Sequence, residues 1–125
     1  MKILLCEDDN NIVVIARLAL EQIGKHQITL AVDGEQALHL GKTEKFDLII
    51  LDDMMPKMNG IAVCREFIKF NSKTAPVIFM SANPQEKHVQ ELSPVAIGFI
   101  PKPFDPVHLN DQITEIMRQQ HKKAI

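Results

Sequence analysis

Five times along this chain a short apolar run gives way to a stretch whose apolar residues recur at helical spacing. The runs occupy residues 2–6, 27–32, 46–51, 77–80 and 97–100. Residues 46–51 are nearly all apolar, as expected of a strand buried on both faces of a parallel sheet. The first intervening stretch places Ile12, Ile15, Ala16, Ala19 and Ile23 on one helical face and stops at Gly24. Asp33-Gly34 turns the chain into a second helix carrying Ala37, Leu38 and Gly41. Asn59 caps a third, with Val63, Cys64, Phe67 and Ile68 facing inward. Residues 84–92 make the weakest helix, with only Val89 and Leu92 to bury. Asp105-Pro106 opens a fifth, whose stripe is Leu109, Ile113, Ile116 and Met117. His121, Lys122 and Lys123 close it with the charge sign a helix C-terminus favours. Strand–helix alternation of this kind predicts a parallel sheet covered by helices on both sides. Right-handed crossovers leave few topologies. Ligands of such folds sit beyond the carboxyl ends of the strands.

The residues at those ends are unusual. The first run leads into Glu7-Asp8-Asp9, the third into Asp52-Asp53, the fourth into Ser81 and the fifth into Lys102-Pro103. If the runs are neighbouring strands, one sheet edge gathers carboxylates, a hydroxyl and an ammonium. Carboxylates 4 Å apart repel by about 4 kcal/mol per pair at an effective dielectric near 20. Glu7, Asp8 and Asp52 therefore need protons, a lysine or a cation. Hard oxygen ligands beside a hydrated pocket suit Mg²⁺, with Mn²⁺ as a substitute. Asp52, at the end of the central strand, is the candidate nucleophile, because a carboxylate can attack phosphorus to form an acyl phosphate. A cation on one side and Lys102 on the other would stabilise the charge of the transition state. Asp53 is expected to point the opposite way, as an exposed turn carboxylate.

Other chemistries find less support. Ser81 lies in Phe79-Met80-Ser81-Ala82-Asn83, which lacks the glycines of a nucleophile elbow. The histidines at 26, 39, 88, 108 and 121 show no ligand spacing and are expected at the surface. No glycine-rich phosphate loop or dinucleotide fingerprint occurs. Met54, Met55 and Met58 read as turn packing. The 125 residues suit one domain, 1–125, and the net charge of −2 gives no global attraction to nucleic acid or anionic lipid. Cys6 and Cys64 form no disulfide framework or metal pair and read as small buried hydrophobes. Without an apolar run near 20 residues or a leader, the expected location is cytoplasmic, with no membrane contact.

Taken together, the acidic start, Leu51-Asp52-Asp53-Met54-Met55-Pro56-Lys57-Met58-Asn59-Gly60, Ser81 and Phe99-Ile100-Pro101-Lys102-Pro103-Phe104 resemble a response-regulator receiver domain of two-component signalling. The resemblance covers essentially the whole chain. It implies a flavodoxin-like α/β fold: a five-stranded parallel sheet of order 2-1-3-4-5 with five helices in three layers. It implies Asp52 as phosphoacceptor, and Mg²⁺ held by Glu7, Asp8, Asp52 and the backbone carbonyl of Met54. Ser81 would be the hydroxyl that follows the phosphoryl group, Lys102 its ammonium contact and Phe99 the switch aromatic. The Lys102–Pro103 peptide would be cis. The donor would be a phosphohistidine on a sensor histidine kinase or a histidine phosphotransfer protein. The product would be a switch that changes affinity for a downstream partner, as a monomer or a phosphorylation-dependent dimer. It would catalyse only its own phosphorylation and dephosphorylation. No output domain and no direct nucleic-acid binding are expected within this chain.

The thin apolar face of residues 84–92 makes that segment bistable in this reading. Two departures stand out: Asp53 occupies a place where the family usually has an apolar residue, and Ser93-Pro94-Val95-Ala96 interrupts the usual end of the fourth helix. Two rival functions are weighed against the switch. A phosphatase of the haloacid dehalogenase type needs a second acid two residues after the first, where Met54 stands. A degenerate binding module usually lacks an acid, the hydroxyl or the lysine, and all are present.

Overall fold

The computed structural model describes residues 1–70, 74–82 and 91–124, with side chains to residue 120. Its strands are β1 (Lys2–Cys6), β2 (Gln27–Ala31), β3 (Leu48–Asp52), β4 (Val77–Ser81) and β5 (Ala96–Pro101). All neighbours are parallel, in the order β2-β1-β3-β4-β5, as expected of a flavodoxin-like sheet. The observed β3 and β4 each run one residue further than the apolar runs, so Asp52 and Ser81 are the last residues of their strands.

Among the described residues there are four helices: α1 (Asn10–Arg17, continued as a π-wound segment Leu18–Ile23), α2 (Gly34–Thr43), α3 (Gly60–Lys69) and α4 (Leu109–Ala124). Most of the helix expected over residues 84–92 lies outside the described part; Glu91 and Leu92 are helical. The chain then turns through residues 93–95, burying Leu92 and Val95 before β5.

The first three helix starts have a side-chain explanation. Asp9 caps α1, accepting from the Asn11 and Ile12 amides; Asp33 caps α2 at the Gln36 amide; Asn59 caps α3 at the Ala62 amide. The last helix begins later than expected. Asp105 does accept the Val107 amide at 2.9 Å, but its other oxygen binds the His108 ring at 2.7 Å. That closes a separate turn over residues 106–108, and α4 starts at Leu109.

The sheet divides the core in two. On one face Leu4, Cys6, Ile49 and Leu51 pack with Val63, Cys64 and Phe67 of α3 and with Ala37 of α2. On the other, Ile3, Leu5, Ile50 and Ile78 pack with Ala16, Ala19, Leu20, Leu109 and Ile113. Both cysteines are buried, and burial pushes the Cys64 thiol up to about 12. The buried side of α1 is Val13, Ala16, Ala19 and Leu20; Ile15 and Ile23 are exposed. The segment carries two overlapping apolar stripes. The π winding after Arg17 rotates the second half, so periodicity alone could not choose between them. At Gly41 a Cβ would come within 2.5 Å of the Phe67 ring, so this glycine lets α2 close onto α3.

Candidate functional site

Three successive acids leave β1 with three different fates. Glu7 is buried, Asp8 is exposed and Asp9 caps α1. Glu7 is held by its own amide, which donates to the Ala31 carbonyl at 3.0 Å, and its Oε1 accepts the Asp9 amide at 3.1 Å. Across the sheet edge, Asp52 is only 3% exposed. Its Oδ1 accepts from the Met54 amide at 3.3 Å.

Lys102 follows β5, where its amide donates to the Ser81 carbonyl at 2.8 Å. The Lys102–Pro103 peptide is cis. Its Nζ lies 2.9 Å from Glu7 Oε2 and 3.0 Å from Asp52 Oδ1, bridging two buried carboxylates. Glu7, Asp8 and Asp52 each present a carboxylate oxygen within 4.8 Å of the others. The donor set is therefore three hard oxygens with one member open to solvent, which fits a partly hydrated Mg²⁺. Beside it lies a cavity of about 450 Å³ lined by Asp8, Asp53, Met54, Met55, Pro56, Asn59 and Ile61.

The electrostatics follow from that burial. Desolvation raises the Asp52 carboxyl to about 7, opposed by the Lys102 hydrogen bond and reinforced by the nearby Glu7 charge. For Lys102, burial disfavours the ammonium, yet its hydrogen bonds to Glu7 and Asp52 prevail and hold it above the ordinary lysine value.

Ser81 and Asp53 depart from expectation. Asp53 stands just past the end of β3 and is half-buried rather than an exposed turn acid. Ser81, 4% exposed, donates its hydroxyl to Asp53 Oδ2 at 2.7 Å. The pairing of Asp52 with Met80 explains the contact: one residue further, 53 stands opposite 81 on the same sheet face. Strand alternation was visible in the sequence, but the identity of the neighbouring strand was needed to find the partner.

The loop after β3 is held by α3. The Gly60 amide donates to the Asp53 carbonyl at 3.1 Å, and a Cβ on Gly60 would sit 2.4 Å from the Asp52 carbonyl oxygen. A side chain there would push the loop off the strand end, which gives Asn59-Gly60 its physical meaning. Within the loop Lys57 adopts a left-handed φ of 68°, and its ammonium reaches Asp33 at 3.5 Å.

The remaining candidates are less central. The Met54 side chain is 76% exposed. Met55 and Met58 are partly buried against the α2–α3 core, in keeping with turn packing. Phe99 is half-buried on β5, opposite Phe79 of β4. His39 and His108 are exposed, while His26 is half-buried with its Nδ1 2.9 Å from the N-terminal amine. Asn83 and His88, and the side chain of His121, lie outside the described residues.

A family model described as the response regulator receiver domain matches residues 3–114. The alkaline phosphatase synthesis transcriptional regulatory protein PhoP of Bacillus subtilis is 38% identical over 124 residues, covering 98% of this chain and 51% of PhoP. The Francisella response regulator 1452 receiver domain superposes with a TM-score of 0.79 at 31% identity, covering 95% of this chain and 98% of that one. Vibrio cholerae chemotaxis protein CheY4 superposes with a TM-score of 0.80 at 24% identity, covering 92% and 97%, which speaks to the fold alone. The chain spans about half the length of PhoP.

Proposed function

The chain belongs to the response regulator receiver domain family, and on that footing we propose that it accepts a phosphoryl group on Asp52 from a phosphohistidine of a sensor kinase or phosphotransfer protein. Receiver domains are signalling switches rather than turnover enzymes, and the output here is altered affinity for a downstream partner. The observation that carries the reading is the buried Asp52 carboxylate with Lys102 Nζ at 3.0 Å and the oxygens of Glu7 and Asp8 within 4.8 Å.

The chemistry follows from those residues. Asp52 attacks phosphorus as the carboxylate. The phosphorus–nitrogen bond to the donor imidazole breaks, and its electron pair returns to the ring nitrogen. Lys102 holds Asp52 in place beforehand and stabilises the oxygens that gain charge during transfer. Glu7, Asp8, Asp52 and the Met54 carbonyl would hold Mg²⁺ or Mn²⁺. The ion would supply neutralising charge to the phosphoryl oxygens. The acyl phosphate adds about −1.5 to −2 of charge if it resembles phosphoserine. Ser81 and Lys102 then turn toward that charge, and Phe99 follows on β5.

Incubation with acetyl phosphate and Mg²⁺ tests the assignment. Wild type is expected to gain one phosphate by intact mass, removable by hydroxylamine, and Asp52→Asn is expected to gain none. A phosphate acquired by Asp52→Asn at the wild-type rate would overturn it. The rival phosphatase of the haloacid dehalogenase type predicts multiple turnover of small phosphate esters; the assignment predicts a single modification.

A further inference from the structure

We propose that Asp53 is a positioning residue that captures the Ser81 hydroxyl before phosphorylation, so that the phosphoryl group must compete for it. The inference rests on Asp52 as the phosphoacceptor and adds a determinant of how readily the phosphorylated state forms.

The observation is the 2.7 Å hydrogen bond from Ser81 Oγ to Asp53 Oδ2. A hydroxyl carries one proton and can give it fully to one acceptor at a time. The bond is charge-assisted, about twice as strong as one between neutral groups. It is also preorganised, because Asp53 is tied to elements on both sides. Its amide donates to the Met80 carbonyl at 3.3 Å, and its carbonyl accepts the Gly60 amide at 3.1 Å. Ser81 is the last residue of β4 and is 4% exposed, so it meets this acceptor without adopting a new backbone. Asp52 has different partners, its Oδ1 taking the Lys102 ammonium at 3.0 Å and the Met54 amide at 3.3 Å. For Ser81 to serve a phosphoryl group on Asp52, its hydroxyl must leave Asp53. The released carboxylate then faces the cavity that Asp53 lines with Asp8 and Asn59, where water can solvate it. The competition is thus a graded resistance rather than a block. An apolar side chain at 53 would offer the hydroxyl no such acceptor.

The test is beryllofluoride binding at saturating Mg²⁺ across wild type, Asp53→Ala, Ser81→Ala and the double variant. Asp53→Ala is expected to bind about fivefold more tightly than wild type, the worth of one net intramolecular hydrogen bond. In the Ser81→Ala background the same substitution is expected to change nothing, since no hydroxyl remains to release. An equal gain in both backgrounds would assign the effect to charge repulsion and overturn the proposal, as would no gain in either. Ser81 side-chain couplings in the phosphate-free protein give a second readout. One rotamer is expected in wild type and a changed rotamer population in Asp53→Ala; averaging in wild type would overturn the capture. A wild type that binds no beryllofluoride would remove the proposal together with the phosphoacceptor reading. Binding indifferent to position 53 would remove the proposal alone.

Discussion

Asp52 and Asp53 are neighbours in sequence, yet the end of β3 sends them into different physical regimes. Asp52 goes to a buried site where an ammonium bridges it to Glu7. Asp53 goes to a half-buried site beside an open cavity and meets a neutral hydroxyl. On the first side geometry is set by charge balance in a desolvated space. On the second it is set by a single proton, with solvent close by. The difference teaches that one strand end can hold two kinds of acid: one whose loss of partner threatens the fold, and one whose partner can be exchanged at little energetic cost.

The harshest way to break the comparison is to remove the shared ammonium. Lys102→Met leaves Glu7 and Asp52 buried, 1% and 3% exposed, without their cation. Breaking a buried pair by deleting one partner costs about 3 kcal/mol. Urea unfolding at pH 8 is expected to show a loss of that order. Excess Mg²⁺ should return much of it, since occupancy at 100 times the dissociation constant is worth about 2.7 kcal/mol. A variant as stable as wild type without metal would show that Lys102 is not balancing those carboxylates.

A milder probe leaves the sequence intact and changes pH. The folded Asp52 carboxyl is pushed up to about 7, against an ordinary value of 3.8, mainly by burial. Between those values the folded chain keeps a proton that the unfolded chain has released. Stability therefore falls as pH rises through the window and levels off above it. From pH 5 to pH 7 the loss is expected to be about 2 kcal/mol in metal-free protein. The carboxylates with lowered values, Glu21, Asp33 and Asp105, lose their contribution only as pH falls toward and below about 4. Lys102, held above its ordinary value, loses its contribution only at alkaline pH. His26, lowered mainly by burial, works in the opposite sense across this window, so the contribution of Asp52 is read as the difference between wild type and Asp52→Asn. A flat difference profile from pH 5 to 7, or a carbon NMR midpoint for Asp52 near that of a free carboxylate, would contradict the burial argument.

The sequence exposed the first regime better than the second. Alternation of strand and helix implied the sheet, and the residue types at three strand ends named Glu7, Asp8, Asp52 and Lys102 as neighbours. Those inferences needed only that the strands lie side by side. The Ser81–Asp53 contact needed more, namely that β4 pairs directly with β3 and in which register. Neither fact is local. At the last helix the limit is different, because Asp105 has the sequence chemistry of a helix cap but its local contact with His108, three residues on, closes a separate turn first. In α1, two apolar stripes satisfied the same periodicity, and only packing beneath the sheet selected Ala16, Ala19 and Leu20.

The smallest expected effect comes from the Asp53 side. Ser81→Ala deletes the hydroxyl and leaves the Asp53 carboxylate without that donor. If Asp53 were sealed like Asp52, an orphaned charge would cost several kcal/mol. It is half-buried and lines an open cavity instead, so water can replace the hydroxyl. The stability loss is therefore expected to stay at or below about 1 kcal/mol, the net worth of one exchanged hydrogen bond. Thermal or urea unfolding of Ser81→Ala beside Lys102→Met measures the contrast directly. Equal losses would mean that water does not reach Asp53, and the easy release of the Ser81 hydroxyl to a phosphoryl group would lose its physical basis.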